Sequence, residues 1–254
     1  MSSLAIALIV FVCVFGSGLL GLYLRGSLPE HHLSEDSLGV VKLGAGLIAT
    51  LAALVLGLLI ASAKSSFDQI NEEFTQTATK VVMLDRTLAR YGPETKDARE
   101  LLRRAYASAM DAMFSREGNG LAKLDAPERL ARLEQFQDMI QDMAPRDDKQ
   151  RSLQSQAQSL SGDLAQARWL LIEQGQGSIS TPFLVILVFW LAIIFAGFGL
   201  VGAKNRTVVA TLVVCALSVA GSIFLIEEMN RPLDGLMQIS SAPARNALKH
   251  LGQP

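Results

Sequence analysis

The side chains best suited to chemistry lie in one short stretch, Arg25 to Lys42. There His31 and His32 stand beside Glu30, Glu35 and Asp36. Imidazole and carboxylate are common metal ligands, and imidazole also titrates near neutral pH. His31, His32, Glu35 and Asp36 are therefore the candidate metal ligands of the chain. Adjacent histidines do not share one helical face, and the third histidine, His250, is far away in sequence. The other reading of the cluster is a hydrated loop that closes a helical hairpin. Cys13 and Cys215 are the only cysteines. Both fall inside apolar runs, where a thiol behaves as a small hydrophobe, so a disulfide framework is excluded.

What must position these residues belongs mostly in a lipid bilayer. Half of the residues are hydrophobic, and the apolar ones gather in four runs, Leu4–Leu24, Leu43–Ala63, Phe183–Ala203 and Val208–Ile226. Each has the roughly 20 residues a helix needs to cross a bilayer. Before Leu4 there is no basic residue of the kind that opens a secretory signal, so the first run reads as an uncleaved span. No span holds an ionisable residue, which argues against a proton pump or an ion-coupled transporter. The net charge of -1 gives no support to nucleic-acid binding.

Between the second and third runs the pattern turns polar but stays helical. From Val40 to Tyr91 the chain reads as one continuous helix. Its second half carries Phe67, Ile70, Phe74, Thr77, Val81, Leu84, Leu88 and Tyr91 at steps of three and four, the seam of a helix packed on other helices. Gly92-Pro93 ends it. Three more amphipathic patterns follow: one opened by Pro93-Glu94, one capped by Asp125 with Pro127 in its first turn, and one from about Asp147 to Gln174. Four such helices with short connections imply an antiparallel bundle. It contains no His, no Cys and no glycine-rich phosphate loop, so nothing in it supports an enzyme, and no cofactor is expected.

The fold class is therefore all-α: a polytopic membrane protein with four transmembrane helices and an inserted soluble bundle. The expected segments are a transmembrane hairpin over 1–64, the bundle over 65–180, a second hairpin over 181–228 and a tail over 229–254. Flanking basic residues (Lys64, Lys80, Arg168, Arg231, Arg245 and Lys249 against Arg25, Lys42, Lys204 and Arg206) put the bundle and both termini in the cytoplasm, with the spans in the inner (plasma) membrane.

Two faces of the second span stand out. Ala45, Ala49, Ala53, Gly57 and Ala61 recur every four residues, and such small residues let helix backbones approach closely in lipid. Leu47, Leu51, Leu54 and Leu58 cover another face and could form a dewetting constriction in a pore. Cys13, Ser17 and Gly21 make a shorter small-residue stripe on the first span. Ala192, Ala196, Gly199 and Ala203 repeat the theme on the third.

Four stretches, Leu28–Ser34, Val41–Asp68, Leu84–Glu94 and Glu227–Pro243, together resemble the bestrophin-like membrane protein family of bacteria, a domain family of unknown function. Bestrophins are pentameric anion channels with four spans per subunit. They carry an Asn-Pro-Phe-Gly segment followed by acidic residues after the last span. The resemblance implies a homo-oligomeric anion channel, pentameric if it assembles as bestrophins do, and it places Asn230, Pro232, Asp234 and Gly235 on that segment. Here Arg231 intrudes, Leu233 replaces the aromatic, and the acidic run is absent. The second span also lacks the aromatic neck. The alternative is a membrane-anchored helical scaffold whose bundle binds a protein partner or senses a ligand.

Overall fold

In a computed structural model the described residues are 2–114, 125–174, 181–233 and 235–253, with the side chains of Glu30, His32, Gln174 and Thr181 left aside. They form eight α-helices: α1 Ser3–Ser27, α2 Glu35–Tyr91, α3 Lys96–Met113, α4 Pro127–Gln141, α5 Asp148–Gln174, α6 Thr181–Val201, α7 Arg206–Met229 and α8 Ala242–His250. No strand occurs among the described residues. The helices α1, α2, α6 and α7 are long and apolar enough to cross a membrane. The chain divides into two compact units, 1–66 with 178–230, and 67–177 with 231–254.

The first unit holds α1, the opening part of α2, α6 and α7. Its helices start where short polar side chains satisfy backbone N–H groups left without helical partners. The Ser2 hydroxyl accepts from the amide of Ala5, and the Asn205 side-chain carbonyl oxygen accepts from that of Val208 at 2.8 Å. Ser34 does the same for α2, accepting from the Ser37 amide at 3.3 Å. The core is built from Val10, Val14 and Leu22 of α1, Leu187, Leu191, Ile194 and Phe195 of α6, and Leu212, Ala216 and Ile223 of α7, with Ala52 from α2.

The axis of this unit is the α1–α6 crossing. A Cβ on Gly21 would strike the carbonyl oxygen of Ala196, and one on Gly199 would strike that of Gly18. The two backbones touch, which only glycine permits at these positions. The close-contact stripe on α1 therefore runs through Gly18 and Gly21. Cys13, which the spacing predicts to share it, lies exposed, and Ser17 turns its hydroxyl back to the Cys13 carbonyl at 2.7 Å. At the far end of the crossing the Arg25 guanidinium donates to the carbonyls of Leu200, at 3.2 Å, and Val201. A cation there satisfies the open carbonyls of a helix C-terminus.

The second unit contains the rest of α2, then α3, α4, α5 and the tail with α8. The predicted seam of α2 is its core face: Ile70, Phe74, Val81, Leu84, Leu88 and Tyr91 are all buried. Phe67, Met110, Met113, Leu171, Leu233 and Ile239 join its first half. Leu102, Phe136, Ile140, Ala157 and Leu251 join its second. The tail thus contributes to both clusters. Gly92 ends α2 at φ +150°, a conformation L residues rarely adopt. The buried Thr95 hydroxyl reaches back to the carbonyls of Leu88 (2.7 Å) and Gly92 (2.8 Å), closing the turn.

One expected cap does not form. Ala126, not Asp125, precedes α4, and no side chain caps it. Asp125 instead lies 4.0 Å from the Arg168 guanidinium of α5. Pro127 at the first position makes a cap less necessary, since it has no N–H to satisfy.

Candidate functional site

The candidate residues fall in three places. The first is the span within α2. Its inner side, made by Ile48, Ala49, Ala52, Val55, Leu56 and Leu59, packs against the core of the first unit. Opposite stand Leu47, Leu51, Leu54 and Leu58, which are 66%, 44%, 62% and 63% exposed. The α-helical repeat explains why these four share a face. Steps of four, three and four residues return to within about 40° of one direction.

The same arithmetic splits the small-residue stripe. A step of four overruns a turn by about 40°, so five positions sweep about 160° around the helix. Ala45 is buried and Ala49 half-buried, but Ala53, Gly57 and Ala61 are exposed. A Cβ added at Gly57 would meet nothing within 4 Å. The single chain therefore packs the first two members of the stripe and turns the last three outward with the leucines.

The second place is the pair of segments flanking the spans. His31 lies exposed in a single 3-10 turn, Glu30–Leu33. The side chains of Glu30 and His32 lie outside the described residues. No group of three or more His, Cys, Asp or Glu side chains converges among the described residues. After α7, Asn230 forms the helix C-cap, its N–H reaching the Ile226 carbonyl at 3.2 Å. Pro232 is buried, and its carbonyl accepts from the Ile239 amide at 2.9 Å. The Gly235 amide donates to the Arg231 carbonyl at 3.1 Å. These two bonds tie the segment after α7 back on itself. Asp234 lies outside the described residues.

The third place was not singled out by the sequence patterns. Asp85 of α2 is fully buried. The Arg99 guanidinium of α3 grips it with two bonds, Nε to Oδ1 and Nη2 to Oδ2, both 2.9 Å. The Gly252 amide of the tail donates to Oδ2 at 3.2 Å, and Arg99 Nη2 also donates to the Gln253 carbonyl at 2.7 Å. The hydrogen bond to Asp85, more than the opposing desolvation, holds the Arg99 guanidinium above its ordinary pKa. One signal for this was available. Asp85 stands four residues after Val81 and next to Leu84, on the buried side of the seam, where a carboxylate requires a partner. The alternation of charges around it reads instead as a solvated face, and that obscured it.

A bestrophin-like domain model matches residues 11–244. No curated protein matches the chain. Solved structures of similar fold include point variants of a bacterial bestrophin homologue from Klebsiella pneumoniae. One is 16% identical with a TM-score of 0.70, covering 97% of this chain and 99% of that one. Another is 16% identical with a TM-score of 0.69, over 96% and 98%. A further structure of the Klebsiella pneumoniae homologue is 18% identical with a TM-score of 0.65, over 94% and 98%.

Proposed function

The chain belongs to the bestrophin-like family, and we propose that it assembles as a homo-oligomer, a pentamer by analogy, whose α2 helices line an anion-conducting pore. The observation that carries this reading is the uncovered side of α2, where the leucines stand beside the exposed small residues Ala53, Gly57 and Ala61. Leu47, Leu51, Leu54 and Leu58 project from the one span that contributes a single residue, Ala52, to the buried cluster of the first unit. The other three spans contribute three or four residues each to it. Four helices of one chain cannot enclose a pore, so a pathway needs α2 helices from several copies around one axis. A ring of leucines at such an axis excludes water at its narrowest level and leaves flux sensitive to side-chain length. The outward Ala53, Gly57 and Ala61 sit beside the leucines, where small residues permit close approach of a neighbouring copy.

In this reading the spans lie in the inner membrane with the bundle and both termini in the cytoplasm. The segment Asn230, Pro232, Asp234 and Gly235 acts as the link between the last span and the bundle.

Native mass spectrometry of the detergent-purified chain tests the assembly, and anion flux from liposomes tests the pore. A closed oligomer is expected, with flux that rises on Leu58→Ala or Leu54→Ala. A monomer, or an intact oligomer with unchanged flux in both variants, would overturn the proposal and favour a scaffold or sensor.

A further inference from the structure

Where α1 stops and α7 starts, the first unit has an open groove. Leu22 and Tyr23 of α1, Arg206 and Val209 of α7, and Lys204 and Asn205 of the link between α6 and α7 line it. Leu22 is buried and Val209 half-buried, so the inner side is apolar. Tyr23, Lys204 and Arg206 are exposed and form the rim. No carboxylate lines the groove among the described residues.

The backbone gathers the two cations. Asn205 is extended, at φ -137° and ψ 163°. Residues on either side of an extended residue project the same way, so Lys204 and Arg206 share one side of the link. Asn205 is itself held in place. Its amide donates to the Ala203 carbonyl at 2.8 Å, and its side-chain oxygen accepts from the Val208 amide at 2.8 Å. The Lys204 ammonium lies against Gly26 in the last turn of α1, where a Cβ would otherwise project. Neither Lys204 nor Arg206 forms an ion pair among the described residues. The carbonyls of Leu200 and Val201 at the end of α6, which would repel an anion, are occupied by Arg25.

A Tyr beside Lys and Arg at the ends of spans marks the membrane–water interface, the level of lipid phosphates. One turn before Tyr23, the exposed Leu19 continues an apolar surface toward the bilayer centre. We propose that this groove holds an anionic phospholipid, with its phosphate between Lys204 and Arg206 and the start of an acyl chain against Leu22, Tyr23 and Val209. A headgroup with its own ammonium adds a third cation to the rim and is disfavoured by like-charge repulsion. The bound lipid would join α1 to α7 at the end where Arg25 already joins α1 to α6, so the stability of the first unit depends on lipid charge. The site needs α1 and α7 in the bilayer, but it does not depend on whether α2 lines a pore.

Native mass spectrometry of the full chain tests this, in detergent with equal amounts of phosphatidylglycerol and phosphatidylcholine of the same acyl chains. One phosphatidylglycerol per protomer should be retained, in preference to phosphatidylcholine by at least about tenfold. Lys204→Gln and Arg206→Gln should each weaken retention about fivefold, and together they should abolish the preference. Both residues are exposed, so their replacement keeps the fold. Lys42→Gln serves as the control, because Lys42 is an exposed cation at the start of α2 outside the groove, and it should leave retention unchanged. Millimolar inorganic phosphate should not displace the lipid. Phosphatidylglycerol should also raise the unfolding temperature of the unsubstituted chain more than that of the double variant. Equal retention of the two lipids would overturn the proposal. So would a preference that survives the double substitution, an equal loss in Lys42→Gln, or displacement by phosphate, which would mark a site for a soluble anion.

Discussion

Asp85→Asn is the most informative single change in the bundle, because it keeps the shape and removes the charge. The native carboxylate accepts three hydrogen bonds, from Arg99 Nε, Arg99 Nη2 and the Gly252 amide. An asparagine can keep its carbonyl oxygen against one donor group, but its amide nitrogen then faces donors at the Oδ2 position. Two of the three bonds are lost, and Arg99, whose side chain is only 17% exposed, keeps its charge without the compensating carboxylate. Bonds to charged groups contribute about 1.5–3 kcal/mol each, and breaking a buried pair by removing one partner costs about 3–5 kcal/mol. A loss of about 3 kcal/mol is therefore expected, at the lower end because Arg99 retains the Gln253 carbonyl. At about 1.4 kcal/mol per factor of ten, the tail should open about a hundredfold more often. Hydrogen–deuterium exchange at the Gly252 amide and carboxypeptidase digestion of the tail both read this opening. The double variant Asp85→Leu/Arg99→Met should recover part of the loss, since it leaves neither charge buried. Unchanged protection at Gly252 in Asp85→Asn would refute the reasoning.

Other outcomes follow from the same geometry. Gly21→Leu should disrupt the first unit by at least about 1–3 kcal/mol, since the new side chain meets the Ala196 backbone; thermal unfolding in detergent that matches the unsubstituted chain would count against the α1–α6 contact. Gly57→Leu meets nothing within the chain, so it should leave protomer stability unchanged while lowering the oligomer fraction in native mass spectrometry; an unaltered oligomer would remove Gly57 from the subunit interface. Glu100 is held at about 2 by hydrogen bonds from Arg103 and then Arg104. Its pKa is depressed, so its contribution to α3 is present above the ordinary 4.5 and fades as pH falls toward 2. An NMR titration should show this depression at low salt and a rise toward 4.5 in high salt; a midpoint near 4.5 at low salt would show that the two arginines do not hold it.

Much of the fold was legible because two simple physical rules dominate it. Runs of about 20 apolar residues have one stable outcome in lipid, and the spacing of Phe74, Val81, Leu84 and Leu88 has one stable outcome in water. The interaction partners were less legible. Cys13, Ser17 and Gly21 have the spacing of a packing stripe, but the α1–α6 crossing selects Gly18 and Gly21 because the Ala196 and Gly199 backbones lie against them. Sequence spacing gives the face available and not the helix that will cover it. Asp85 was hidden for a related reason. Its partners, Arg99 and Gly252, are 14 and 167 residues away, and only the folded bundle brings them together.

The second span illustrates how one helix can serve two kinds of contact. A strict four-residue repeat cannot stay on one side of a helix with about 3.6 residues per turn. Ala45 and Ala49 therefore meet the core of their own chain, while Ala53, Gly57 and Ala61 wind outward toward the leucine face. Had the stripe kept a heptad spacing, all of it would have faced the same neighbour. The drift instead leaves small residues and leucines together on a surface that the single chain does not cover. In a membrane, lipid can cover leucines at little cost, so their exposure alone decides nothing between lipid and pore. The neighbouring small residues do discriminate, because lipid gains nothing from them and a second helix does. That asymmetry is why the oligomer should respond to bulk at Gly57, while flux should respond to the length of Leu54 and Leu58.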